Sequence, residues 1–84
     1  MYKIEVDRNA AKALNRLPQK MIIRIVSAID RLADNPFPDG YKKLKGLENT
    51  YRVRVGDYRI VYSVENNLLI VFIIRIGNRR DVYN

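Results

Sequence analysis

Tyr51-Arg52-Val53-Arg54-Val55-Gly56-Asp57-Tyr58-Arg59-Ile60-Val61-Tyr62 is the stretch on which the fold turns. Tyr51, Val53 and Val55 alternate with Arg52 and Arg54, the period-2 pattern of a strand with one apolar and one charged face. Gly56-Asp57 then suits a two-residue type II′ hairpin loop, because glycine at its first central position takes a positive φ at no steric cost. Alternation resumes at Tyr58 and carries a second strand to Val64. A two-residue loop sets the register: Val55 faces Tyr58, Arg54 faces Arg59 and Val53 faces Ile60. Two arginines are therefore expected directly opposite each other, with Arg52 two residues along on the same face. Tyr51, Tyr58 and Tyr62 are expected on the other face, packed beneath helices.

Reading outward, Asn66-Asn67 marks a turn, and Leu68 to Ile76 is nearly all apolar and β-branched, as expected of a central strand covered on both faces until Gly77 breaks it. At the other end Tyr2, Ile4 and Val6 alternate with Lys3, Glu5 and Asp7, so residues 2–6 read as a strand. Asp7 stands at the N-cap of a short helix carrying Ala10, Ala13, Leu14 and Leu17, and Pro18 ends it. Pro18 also suits the first turn of a second helix, in which Ile22, Ile25, Val26, Ile29, Leu32 and Ala33 fall on one stripe until Pro36 pushes the preceding residue out of helical geometry. Pro36, Pro38, Gly40 and Gly46 make the next stretch a basic loop, with at most a short extended piece at Lys43-Leu44-Lys45. The expectation is a single α+β domain over residues 1–84, an N-terminal strand and a two-helix hairpin packed on a mainly antiparallel four-stranded sheet.

Composition removes much chemistry. With no Cys and no His among 84 residues there is no disulfide, no thiolate zinc site, no cysteine nucleophile and no Ser-His-Asp triad. The nine carboxylates are scattered, so no metal site is expected. The longest apolar run, Leu68 to Ile74, falls far short of the ~20 residues a spanning helix needs. The charged N-terminal residues lack the apolar region of a signal peptide, so a cytoplasmic address and no membrane partner are expected.

Sixteen Lys and Arg against nine Asp and Glu give a net charge of +7, which points to a polyanionic partner. Residues 42–84 carry nine basic and four acidic side chains, so most of the surplus belongs to the sheet half. Like charges directly opposite on a sheet face are destabilising, with pair terms of roughly 0.2–1 kcal/mol. An anion bridging Arg52, Arg54 and Arg59 reverses that sign, because each guanidinium offers a planar fork suited to phosphate. The competing reading is a solvated outer face whose arginine stems cover apolar surface. Lys42, Lys43 and Lys45 are candidate point-charge contacts to a phosphate backbone, or simply part of a solvated loop. Arg79 and Arg80 follow Gly77 as further candidate anion contacts, and Tyr83 is either a base-stacking or hydroxyl-donating residue or a C-terminal anchor.

Leu44-Lys45-Gly46, then Tyr51 to Tyr62, then Gly77-Asn78-Arg79-Arg80-Asp81-Val82-Tyr83 together resemble the RelE/ParE superfamily of toxins from bacterial and archaeal toxin–antitoxin pairs. The resemblance runs over essentially the whole chain, and the Gly-x-Arg…Tyr ending is more similar to the RelE branch than to the ParE branch. It implies a ribosome-dependent mRNA endonuclease acting in the ribosomal A site, with the mRNA 2′-hydroxyl attacking its adjacent phosphate. It implies no metal and no cofactor. Carried over by position, the family's site falls on Arg52, Arg54, Arg59, Arg79 and Tyr83, with Lys42, Lys43, Lys45 and Arg80 as RNA or ribosome contacts. Implied partners are a cognate antitoxin, the ribosome with its mRNA, and operator DNA reached through the antitoxin.

Two positions depart from the pattern. Some relatives carry lysines where this chain has Arg52 and Arg54, and a guanidinium is too basic to serve as a general base. Either Arg54 acts as a clamp while geometry aligns the attack, or Tyr83 or an rRNA group assists proton transfer. Asn78 stands where many relatives have His or Lys. Inhibition of DNA gyrase in the ParE manner and passive nucleic-acid binding are the competing functions.

Overall fold

The computed structural model describes residues 1–78. In chain order the elements are β1 (Lys3–Val6), α1 (Arg8–Asn15), α2 (Gln19–Asp34), β2 (Lys42–Lys43), β3 (Thr50–Val55), β4 (Tyr58–Glu65) and β5 (Ile70–Asn78). They build one five-stranded sheet in the order β1-β5-β4-β3-β2, antiparallel except for the parallel β1–β5 pair. The α+β architecture is the expected one. The fifth strand is the two-residue β2, where Lys42 pairs with Arg52 and Lys43 with Tyr51, one residue earlier than the extended piece anticipated at 43–45.

The helices start and stop for local reasons. The Asp7 carboxylate accepts from the backbone N–H of Asn9 at 2.9 Å and of Ala10 at 3.3 Å, satisfying two donors that the first turn of α1 leaves free. Pro18 caps the start of α2, and Asn35 closes it in extended geometry before Pro36. Of the expected α2 stripe, Ile25, Ile29 and Leu32 are buried and Ile22 and Ala33 half-buried, whereas Val26 is 41% exposed. Val26 lies at the margin of the arc centred on Ile25, Ile29 and Leu32, too far round the helix to reach the sheet.

Beneath the helices Val53, Val55, Ile60, Tyr62, Val64, Val71, Ile73 and Ile76 complete the core. Tyr51 and Tyr58 pack against it, and Tyr62 is fully buried with its hydroxyl donating to the Pro36 carbonyl at 2.7 Å. Desolvation holds the Tyr62 phenol well above its usual range, and the nearby Tyr51 and Tyr41 add to the shift.

Three details of the last strand differ from the sequence reading. Leu68 and Leu69 belong to the preceding turn, where Leu69 takes a φ of 54°, and the strand begins at Ile70. Gly77 does not break the strand, because it pairs with Arg59 and the ladder runs on to Asn78 opposite Tyr58. The strand is central in the sheet but not covered on both faces, since Phe72 and Arg75 are exposed.

Candidate functional site: a cationic sheet face

The β3–β4 turn places its arginines as the loop length requires. Gly56 has a φ of 61°, the expected left-handed first position, and Arg54 lies opposite Arg59, between the pairs Val53–Ile60 and Val55–Tyr58. Across the strands two rows share this face. One runs Lys42, Arg52, Val61 and Arg75 over β2 to β5, and the next runs Arg54, Arg59 and Gly77. With strands ~4.8 Å apart and same-face residues about 7 Å apart along a strand, the five cations occupy a patch of roughly 14 by 7 Å. Asp39 lines a cleft of about 330 Å³ beside them with Gly40, Lys42, Arg52 and Arg54.

Arg75 was not singled out from sequence. The pairing of β4 with β5 shifts between Val61 and Tyr62, so that Val61 faces Arg75 while Tyr62 faces Ile73. This bulge lets both Ile73 and Ile76 face the core and leaves Arg75 on the outer face. In a run as apolar as 68–76, alternation cannot reveal which side each residue takes.

The arginines differ in environment. Arg54 and Arg75 are exposed and Arg52 is half-buried, whereas Arg59 is only 2% exposed. Arg59 stands in the interior of the sheet, with Gly77 on one side offering no side chain to compete for space. The reading of a merely solvated face fails at this residue. The Arg52 guanidinium is held below its ordinary range, first by burial and then by the Arg54 charge on the same face. The lowering leaves Arg52 a cation near neutrality, because a guanidinium is far too basic to lose its proton there. Planar guanidiniums set side by side in this way have the chemistry to take an anion, whose charge would offset their mutual repulsion.

The three loop lysines separate. Lys42 joins the arginine row, Lys43 pairs with Tyr51 and so belongs to the helix-side face, and Lys45 lies in the following loop. Arg79, Arg80 and Tyr83 lie outside the described residues. Among the described residues no three Asp or Glu side chains gather into a set that would hold a metal ion, and no helix is long and apolar enough to cross a membrane.

Comparison with known proteins gives these features a family. The chain is 34% identical to the toxin RelE of Mycobacterium tuberculosis over 83 residues, covering 98% of this chain and 86% of that one. It is 25% identical to the mRNA interferase toxin RelE of Escherichia coli K12, covering 99% and 90%. The fold matches the crystal structure of the archaeal RelE–RelB complex from Pyrococcus horikoshii with a TM-score of 0.83 at 31% identity, over 93% of this chain and 94% of that one. The model of the ParE toxin of type II toxin–antitoxin systems matches residues 4–83. The chain thus belongs to the ParE toxin family, within the RelE/ParE superfamily of toxin–antitoxin toxins.

Proposed function

We propose that this toxin is a RelE-like endoribonuclease that cuts mRNA in the ribosomal A site and is silenced by a cognate antitoxin. The observation that carries the reading is the cationic sheet face, with Arg54 opposite the buried Arg59 and Arg52 and Arg75 in the adjoining row. The E. coli relative named as an mRNA interferase supports the substrate, and the archaeal RelE–RelB complex supports the antitoxin. The antitoxin in turn brings the pair to operator DNA.

In the reaction the 2′-oxygen attacks its own 3′-phosphate, a phosphorus–oxygen bond forms there, and the bond to the 5′-oxygen breaks. The products are a 2′,3′-cyclic phosphate and a 5′-hydroxyl. The proton lost from the 2′-hydroxyl is balanced by one gained at the 5′-oxygen. The intervening phosphorane carries extra negative charge, and fixed cations aimed at developing charge supply a large electrostatic term. Arg52, Arg54 and Arg59 fill that role, joined by Arg79, and the chemistry uses no metal. Arg54 clamps the phosphate while alignment of the 2′-oxygen contributes several kcal/mol. Tyr83 stacks on the base beside the cut, and Lys42, Lys43, Lys45 and Arg80 hold the surrounding backbone.

Primer extension on a translated mRNA, with and without ribosomes, tests this in the native chain, Arg52→Gln and Tyr83→Ala. New 5′ ends within codons, formed only with ribosomes and bearing 5′-hydroxyls, are expected, and both variants should lose them. Ends bearing 5′-phosphates would contradict the 2′-hydroxyl route. Intact mRNA alongside arrested growth would refute nuclease action and direct attention to gyrase.

A further inference from the structure

Counting charge by chain halves hides a second basic surface. From Arg8 to Ile29 there are five cations, Arg8, Lys12, Arg16, Lys20 and Arg24, and no carboxylate. All five are exposed. On α2, Lys20, Arg24, Ser27 and Arg31 recur at helical spacing on one face, clear of the buried Ile25, Ile29 and Leu32. Like charges four apart on a helix are mildly unfavourable, so helix stability gives no reason for Lys20 beside Arg24.

This face does not stand apart from the sheet. A cleft of about 380 Å³ is lined by Arg24, Ser27 and Arg31 of α2 together with Arg54, Val55 and Gly56 at the β3–β4 turn, and Ile23 and Ala28 form its apolar wall. A Cβ built on Gly56 would lie 3.2 Å from the Arg24 guanidinium, so the arginine reaches the turn itself. Arg31 donates to the Ser27 hydroxyl at 3.1 Å, and Arg24 leans on the Met21 sulfur at 3.8 Å. These contacts orient both side chains without neutralising either. Arg54 also lines the neighbouring cleft with Lys42, Arg52 and Asp39. The two clefts thus share one arginine, and the cations Lys42, Arg52, Arg54, Arg24 and Arg31 form an unbroken track from the sheet face round to the helix.

We infer that Arg24 and Arg31 of α2, with Arg54, form a second phosphate-binding subsite that holds a neighbouring phosphodiester of the RNA strand crossing the arginine face. The inference rests on the proposed RNA-cleaving function. A polyanion with regularly spaced charges fits two adjoining arginine clefts that share a member. The apolar wall of Ile23 and Ala28 gives a ribose or base face a surface to lie on. Arg54, touching both subsites, couples the grip on one phosphate to the position of the next.

The test is the binding of an uncleavable 2′-O-methyl hexanucleotide, followed by fluorescence anisotropy over a series of salt concentrations. The native chain is compared with Arg24→Gln, Arg31→Gln, the double variant, and Lys3→Gln, which removes an exposed charge from the β1 edge. For single strands log K falls with log salt by about 0.7 per phosphate neutralised. Each α2 variant should make the slope shallower, and the double variant by about 0.7 in all, the value for the one phosphate the subsite holds, while Lys3→Gln leaves it unchanged. Unchanged slopes in the α2 variants, an equal change in Lys3→Gln, or no salt-dependent binding by the native chain would each overturn the subsite. Weakened binding of an acidic amphipathic peptide with RNA binding intact would also overturn it, assigning the cleft to a protein partner. Because the oligonucleotide is not cut, the result is independent of the nuclease reading. A native chain that cleaves mRNA while the α2 variants keep the full slope loses only the subsite, and one that binds as expected but never cleaves loses only the nuclease.

Discussion

In Arg54→Gln the charge opposite Arg59 is replaced by a neutral amide, while part of the stem stays to cover the sheet. Two unfavourable terms disappear together. The first is the direct cross-strand pair Arg54–Arg59, for which like charges are worth roughly 0.2–1 kcal/mol. The second is the same-face effect of Arg54 on Arg52, one of the causes that lower the Arg52 pKa. Taken together the free variant should gain about 0.5–1 kcal/mol. For a domain of this size 1 kcal/mol moves the melting temperature by roughly 4–8 °C, so the expected rise is about 2–8 °C at low salt. Circular dichroism melts of both proteins at low salt and near 1 M chloride provide the measurement. The difference should shrink at high salt, where the screening length falls to about 3 Å. Sulfate at matched ionic strength should then raise the native melting temperature more than that of the variant, because an anion bound only by the folded state stabilises it by mass action. A native protein as stable as Arg54→Gln in dilute chloride, or sulfate acting equally on both, would refute the account of this face as an electrostatically strained anion site.

Four further outcomes follow from the core and turns. Tyr62→Phe leaves the buried Pro36 carbonyl without its 2.7 Å donor and should destabilise by about 1–3 kcal/mol in denaturant titrations. In the native chain Tyr62 should stay protonated where an ordinary phenol ionises; since its folded pKa is raised, its contribution to stability is complete below about pH 10 and declines as pH rises beyond that, so its 295 nm signal should appear only on unfolding. Gly56→Ala forces a side chain into a φ of 61° and against Arg24, and should lower stability by about 1–2 kcal/mol; no loss would exclude the left-handed turn. Asp7→Ala removes the α1 cap and should cost about 0.5–2 kcal/mol, while Asp7→Asn, which keeps an acceptor, should lose much less.

Much of the fold was legible because its signals are local. A glycine that accepts positive φ fixes a two-residue turn, and the turn sets the whole β3–β4 register, including the Arg54–Arg59 pair. Pro18 and Pro36 bracket α2 for equally local steric reasons. The errors lie where local signals are silent. Within Leu68 to Ile76 every candidate face is apolar, so neither the start at Ile70 nor the bulge that turns Arg75 outward leaves a trace in the pattern. Val26 matches the helical period as well as Ile25 does, and only the width of the contact with the sheet separates them.

The candidate site divides along the same line. Alternation and turn chemistry, which depend on neighbours in the chain, determined that Arg52, Arg54 and Arg59 share a face and that the tyrosines oppose them. Tertiary structure decided that Arg59 is buried, that Arg75 and Lys42 join the row while Lys43 leaves it, and that Arg24 and Arg31 meet Arg54 at a common cleft. Those facts depend on which strands lie side by side and on how a helix some 30 residues away in the chain packs over a turn. Backbone preferences act over a few residues, whereas burial and charge clustering are properties of surfaces that exist only once distant segments have come together.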